Sequence, residues 1–354
     1  MHELAERILA HDLRAVARGL RFVDDRTGGH VQLLKDLFPH TGKAQVIGVT
    51  GNPGAGKSTL CDRLIEAFRK EGKTVGVLAV DPTSPYSGGA ILGDRIRMGR
   101  HSTDDGVFIR SVATRGHLGG LSQSARDMVR VLDAYGSQVI LIETVGVGQD
   151  EIEITRTAST TLVVMAPGLG DDVQASKAGI LECADVFAVN KADRDGADST
   201  VRDLELMIAL GTETMTAASK SRGHVVHSDG RFGATATAGQ PGGGAAPVST
   251  GDAPPPERWT PPILKCVATR GEGIAELVKG LAAHRRWVEE TEAGRARRRL
   301  RLAEEVREGL REALIEAAVS ALGEQIDEAV RAVGAREVDP YLATERLIAQ
   351  FRGS

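Results

Sequence analysis

From Ala44 onward, short apolar runs rich in β-branched residues alternate with longer amphipathic stretches. The runs cover residues 46–49, 75–80, 139–142, 162–165, 186–189 and 263–267. Each is apolar almost throughout, and most run directly into Gly, Thr, Asp, Glu or Asn. That pattern predicts strands covered on both faces of a mostly parallel sheet, with helices between them. In such sheets ligands sit beyond the carboxyl ends of the strands, where the polar residues of this chain gather. Ahead of the first run, Leu4, Ile8, Leu9, Leu13, Val16 and Leu20 fall at helical spacing, followed by Val31, Leu33, Leu34 and Leu37, which predicts a small helical lead-in.

Between residues 211 and 258 the pattern gives way to Gly, Ala, Ser, Thr and Pro, including Gly242-Gly243-Gly244 and Pro254-Pro255-Pro256. So little apolar surface cannot offset ordering entropy, so a mobile insertion is expected there. His224 and His227 lie within it but lack further ligands at metal-site spacing. After Ile274 a helical pattern returns, with a long charged stretch over 276–333 and a last short helix after Asp339-Pro340-Tyr341. This is too extended to be core, and a docking or dimerisation role is expected. The arrangement expected is a helical segment over 1–40, an α/β domain over 41–285 carrying the insertion, and a helical dimerisation region over 286–354.

Charge narrows the function classes. A net charge of -4 and an isoelectric point near 6.2 lack the broad basic field of proteins that coat nucleic acid or anionic membrane. The cluster Arg295, Arg297, Arg298, Arg299 and Arg301 is matched by Glu289, Glu290, Glu292, Glu304 and Glu305, which reads as a solvated helix face. Cys61, Cys183 and Cys266 are far apart in apolar stretches, as reduced core thiols are. No run approaches the roughly 20 apolar residues of a membrane span, and no secretory leader is evident, so a cytoplasmic protein is expected.

The strongest chemical signal is Gly51-Asn52-Pro53-Gly54-Ala55-Gly56-Lys57-Ser58-Thr59, which fits G-x-x-x-x-G-K-[ST] directly after an apolar strand and at the start of a helix. Such a loop curls so that its N–H groups point at phosphate oxygens. Lys57 would bridge the outer phosphates and the Ser58 hydroxyl would ligate Mg²⁺. This defines the α/β class as a P-loop NTPase. A second signal, Asn190-Lys191-Ala192-Asp193, follows the 186–189 run. A carboxylate at Asp193 accepts from the N1–H and exocyclic amine of guanine, whereas adenine presents an acceptor at that ring position.

A third is Ile142-Glu143-Thr144-Val145-Gly146. Here a strand-end acid can hold Mg²⁺ and the Gly146 N–H can sense the γ-phosphate. Fourth, Asp81 ends a run ahead of Pro82-Thr83-Ser84-Pro85 and of Gly93-Asp94-Arg95, two acids flanking a loop that could reach the metal from a switch segment. A similar loop, Pro167-Gly168-Leu169-Gly170-Asp171-Asp172, precedes Gln174 and Lys177. No residue stands out as a glutamine that orients water; Gln149 lies nearby.

Together, G-N-P-G-A-G-K-S-T-L, D-P-T-S-P-Y-S-G-G-A-I-L-G-D-R-I-R-M, E-T-V-G-V-G-Q and N-K-A-D resemble the MeaB/ArgK family of P-loop GTPases, which includes the human methylmalonic aciduria type A protein. The resemblance runs from the N-terminal helices to Asp339-Pro340-Tyr341 and excludes 211–258. It implies a homodimeric, Mg-dependent GTPase, a metallochaperone that gates cofactor loading and protects or reactivates an adenosylcobalamin-dependent acyl-CoA mutase, chiefly methylmalonyl-CoA mutase. It also implies that Asp81, Asp94 and Glu143 are metal and switch acids, that Gln174 and Lys177 belong to a partner-coupling switch, and that the C-terminal helices form the dimer arm.

Two departures stand out. Cys266-Val267-Ala268-Thr269-Arg270-Gly271 replaces the family's Ser-Ala or Ser-Gly pair behind the guanine, leaving backbone N–H contact from around Ala268. The insertion is also longer than usual. The rival readings are an ATP-dependent kinase of the arginine/ornithine transport type, which needs a phosphoacceptor, and a nickel-enzyme maturation GTPase, which needs a Cys/His cluster.

Overall fold

The computed structural model describes residues 1–81, 99–101, 103–113, 120–144, 157–168, 183–222 and 257–353. They form two compact units, Met1–Gly294 and Arg295–Ser354.

In the first unit, α1 (Glu3–Leu9), α2 (Leu13–Asp24) and α3 (His30–Leu37) precede β1 (Gln45–Gly51), α4 (Lys57–Lys70) and β2 (Val75–Asp81). Then come β3 (Val107–Ala113), α5 (Gly120–Tyr135), β4 (Val139–Thr144), β5 (Thr160–Met165), β6 (Val186–Val189), α6 (Ala197–Arg222), β7 (Ile263–Lys265) and α7 (Ile274–Glu290). The strands make one seven-stranded sheet ordered β3-β2-β4-β1-β5-β6-β7, and every pair is parallel. β1 lies between β4 and β5, so its carboxyl end opens where the chain turns from one half of the sheet to the other.

Alternation along the strands divides the core between the two faces. Leu141 of β4 and Leu162 and Val164 of β5 pack with Leu60, Leu64 and Phe68 of α4 and with Leu277 and Leu281 of α7. On the opposite face, Ile140 and Ile142 join Leu78 and Val80 of β2 with Leu20, Leu33 and Leu37 of the N-terminal helices and Met128 and Leu132 of α5. Val163, Met165, Phe187 and Val189 continue that opposite face beneath Leu204 of α6. A strand with both faces covered must be apolar throughout, and that is the reason for the uninterrupted runs. The N-terminal helices thus belong to the same core as the sheet.

The structure adds β3, absent from the strands expected. Among the described residues it sits at the sheet edge, paired to β2, and Arg110 and Ser111 interrupt its apolar character. Helix α6 continues to Arg222, into the stretch expected to be irregular; Ala217, Ala218, Met215 and Lys220 there are good helix formers, with no Pro among them. The second unit holds most of α8 (Glu292–Gly334), broken by non-helical backbone at Leu322 (φ -116°, ψ 17°), and α9 (Pro340–Gly353), capped by Asp339.

Candidate functional site

The 51–59 loop joins the carboxyl end of β1 to the first turn of α4. Three glycines give it its path. Gly51 (φ +133°), Gly54 (φ +76°) and Gly56 (φ +92°) occupy backbone conformations that side chains resist. At Gly56 a Cβ would stand 2.5 Å from Asn190 Nδ2, so the loop also needs glycine there for close approach. No side chain caps α4 at Gly56, which leaves its first-turn N–H groups facing the loop's mouth, the arrangement that binds anions at helix starts. Asn52, Ala55, Lys57 and Ser58 are buried, whereas Pro53, Gly54 and Thr59 are exposed. Lys57 Nζ donates to the Gly51 carbonyl at 2.6 Å and to the Asn52 carbonyl at 3.1 Å, placing its ammonium inside the curl.

The Ser58 hydroxyl donates to Glu143 Oε1 at 2.6 Å. Glu143 is only 3% exposed and sits on β4 opposite Val49 of β1. Two hard oxygen donors meeting beside a phosphate-type loop fit Mg²⁺, which takes few protein ligands and prefers oxygen. Asp81 ends β2. Asp94, Gly146, Gln149, Gln174 and Lys177 lie outside the described residues, as do His224 and His227.

Asn190 joins this loop to a second one. Its Nδ2 donates to the Ala55 carbonyl at 2.8 Å, and its Oδ1 accepts from Ala268 N at 3.0 Å. The Ala268 N–H, expected from sequence to face a base, is therefore committed to Asn190. Lys191 (φ +57°) reaches back to donate to the Gly54 carbonyl at 2.7 Å. Ala192 N bonds the Cys266 carbonyl at 3.1 Å, holding the 190–193 turn against the 266–272 loop. Burial pushes the Cys266 thiol up to about 12, so it stays protonated and inert. Cys61 is likewise buried, and no disulfide forms.

Two arginines give the site support that no motif signalled. Arg63, one and a half turns into α4, donates through Nε to the Ala268 carbonyl and through Nη2 to the Thr269 carbonyl, both at 2.9 Å. Its Nη1 pairs with Glu66 at 2.9 Å. Lys70 and then Arg63 hold the Glu66 carboxyl down at about 2. The second arginine, Arg270, lies 3.6 Å from Asp193.

A strand, a glycine-rich loop, a helix that opens on Lys-Ser, and a strand-end acid at the switch point of a parallel sheet define a P-loop nucleotide-binding protein. Its family follows from comparison. Residues 16–323 match the model of the family described as methylmalonyl-CoA mutase-associated GTPase MeaB. A Pyrococcus horikoshii protein that carries a provisional GTPase name is 43% identical over 99% of this chain and 98% of its own length. The chain belongs to the MeaB family of GTPases. A fused isobutyryl-CoA mutase of Geobacillus kaustophilus shares 34% identity over 56% of this chain, which is 19% of that protein. Among solved structures, an LAO/AO transport system kinase superposes with a TM-score of 0.62 over 99% of this chain and 97% of its own, at 23% identity, a likeness of fold.

Among the described residues, no group of three or more His, Cys, Asp or Glu converges as a metal site. Nor is any helix there long and apolar enough to cross a membrane.

Proposed function

We propose that this GTPase binds Mg·GTP between the 51–59 loop and the 190–193 and 266–272 turns, and that hydrolysis sets the state of a bound acyl-CoA mutase. The observation carrying the nucleotide assignment is Asn190, whose one amide ties the phosphate loop to the turn that bears Asp193 and to the loop opposite. In this reading residues Asn52 to Thr59 line the phosphates, through every backbone N–H but that of Pro53, which has none, and through the ammonium of Lys57, and Asp193 accepts from guanine. Ser58, Asp81, Asp94 and Glu143 would hold Mg²⁺, which when bound neutralises phosphate charge.

Lys57 serves as the fixed positive charge on the transferred phosphoryl group, and water is the nucleophile. Gly146, by its place after Glu143, is assigned to the γ-phosphate, and Asn190 and Lys191 brace the loops around the base. Gln174 and Lys177 are assigned to coupling with the partner.

The experiment is calorimetric titration of GDP and ADP into the purified chain and its Asp193→Ala variant. GDP selectivity of about 100-fold or more is expected, lost largely in the variant, since a site built to accept N–H donors rejects a base lacking them. Equal binding of ADP would sink the assignment in favour of a kinase.

For the partner, we take an adenosylcobalamin-dependent mutase, methylmalonyl-CoA mutase or a relative, whose cofactor loading this GTPase gates and whose active form it protects. The family's description and the presence of a related segment inside a fused mutase support this. Both would act in the cytoplasm. The 286–354 region is assigned to homodimerisation, supported by the apolar groups it exposes: Leu300 69%, Val306 70% and Leu310 59%. Replacing Val306 and Leu310 together by Glu is expected to weaken self-association by about 100-fold or more, read by sedimentation, because charges buried unpaired at an interface core are costly. Wild-type chain that sediments as a monomer at micromolar concentration would remove the dimer.

A further inference from the structure

Glu272 and Arg270 of the 266–272 loop form an exposed row with Asp193 of the 190–193 turn. Arg270 Nε pairs with Glu272 Oε1 at 2.8 Å, and its Nη2 donates to Glu272 Oε2 at 3.4 Å. The Nη1 edge is turned to Asp193 Oδ2, 3.6 Å away. The backbone beneath is fixed by Val267 N to the Glu272 carbonyl at 3.0 Å, Arg270 N to the Val267 carbonyl at 3.0 Å and Gly271 N to the Ala268 carbonyl at 3.2 Å. Gly271 turns the chain with φ +75°, and Arg63 holds the Ala268 and Thr269 carbonyls from α4. Arg270 therefore projects from a loop pinned by backbone bonds on both sides of it.

We propose that Arg270 is a positioning residue for base selectivity, held from behind by Glu272 and fixing the Asp193 carboxylate so that both its oxygens accept from guanine. The inference rests on the reading of Asp193 given above. A separation of 3.6 Å exceeds the hydrogen-bond range, so the attraction is coulombic and leaves the carboxylate's lone pairs for the N1–H and the exocyclic amine. In the open such a pair contributes little, because water screens it. A base laid against Asp193 displaces that water, and the nearby cation then offsets the desolvation of the carboxylate. The guanidinium suits this geometry because its planar fork lets Glu272 take one edge while another faces Asp193; the single ammonium of lysine has no second edge.

The test compares GDP with inosine diphosphate, which keeps N1–H but lacks the exocyclic amine. Affinities are measured by calorimetry on the full chain, with ADP as the reference and a thermal melt of each variant. Wild type should prefer GDP to inosine diphosphate by about tenfold, one added charge-assisted hydrogen bond. Arg270→Ala should weaken GDP about tenfold and inosine diphosphate less, narrowing the ratio by at least about threefold. Arg270→Lys and Glu272→Gln should fall between, and these milder changes keep the test decisive if the alanine variant melts early.

An unchanged ratio in folded variants would overturn the proposal. So would tighter GDP binding, which would mark Arg270 as a competitor for Asp193. Wild type that binds ADP as well as GDP would remove the guanine reading itself, and this inference with it.

Discussion

Replacing Lys57 by alanine is expected to lower GTP turnover by about 10²- to 10³-fold at saturating nucleotide, the usual cost of removing one preorganised charge from a reacting oxyanion. The lysine is only 6% exposed and is held by the Gly51 and Asn52 carbonyls, so its charge sits in place before any reaction begins. Removing it exposes the transferred phosphoryl group to uncompensated charge in a water-poor site. Arginine should not rescue, because a planar fork is larger than the curl that now encloses a single ammonium. Single-turnover phosphate release, with GDP affinity measured alongside, separates lost chemistry from lost binding. Turnover within about threefold of wild type would remove Lys57 from the chemistry.

The second large effect concerns folding. Gly51→Ala is expected to destabilise the protein by about 3 kcal/mol or more, the range of substitutions that force strained backbone against packed neighbours. The added methyl would fall 2.0 Å from the Val164 carbonyl oxygen and 2.9 Å from Val164 C and N. That obstacle is the backbone of the neighbouring strand, paired in register with Gly51, so no rotamer can yield. Gly54→Ala is the internal control. Its φ of +76° carries strain, but among the described residues a Cβ meets nothing within 4 Å, so a cost of only about 1 kcal/mol is expected. Urea melts of the two variants, compared at equal m-value, decide between steric and conformational cost. Equal losses would show that Val164 does not set the penalty.

Much of this architecture is legible in the chain because burial on both faces writes itself as uninterrupted apolar runs. Val139 to Ile142 and Leu162 to Met165 could be strands of no other kind of sheet position, and the structure places them beside β1. β3 carries no such run because an edge strand need not be apolar at every position, and Arg110 pairs toward Asp24 at 4.0 Å instead of packing in a core. The phosphate loop was readable since its glycines answer a local demand of backbone geometry. Arg63 and Arg270 were not, because each acts on a segment far away in sequence: Arg63 reaches Ala268 across the fold, and no spacing rule encodes such a meeting. The same holds for the Ala268 N–H, whose partner Asn190 becomes evident only when the β6 and β7 turns are seen side by side.

The side chain of Asn190 is a planar amide with unlike ends, an N–H₂ toward Ala55 and an oxygen toward Ala268. Covalent geometry fixes the distance between those ends. The gap between the loop after the central strand β1 and the loop after the edge strand β7 is therefore bridged by one planar group, with Arg63 and Lys191 spanning it alongside. A thermal fluctuation that widens the gap must break a hydrogen bond at one end or the other.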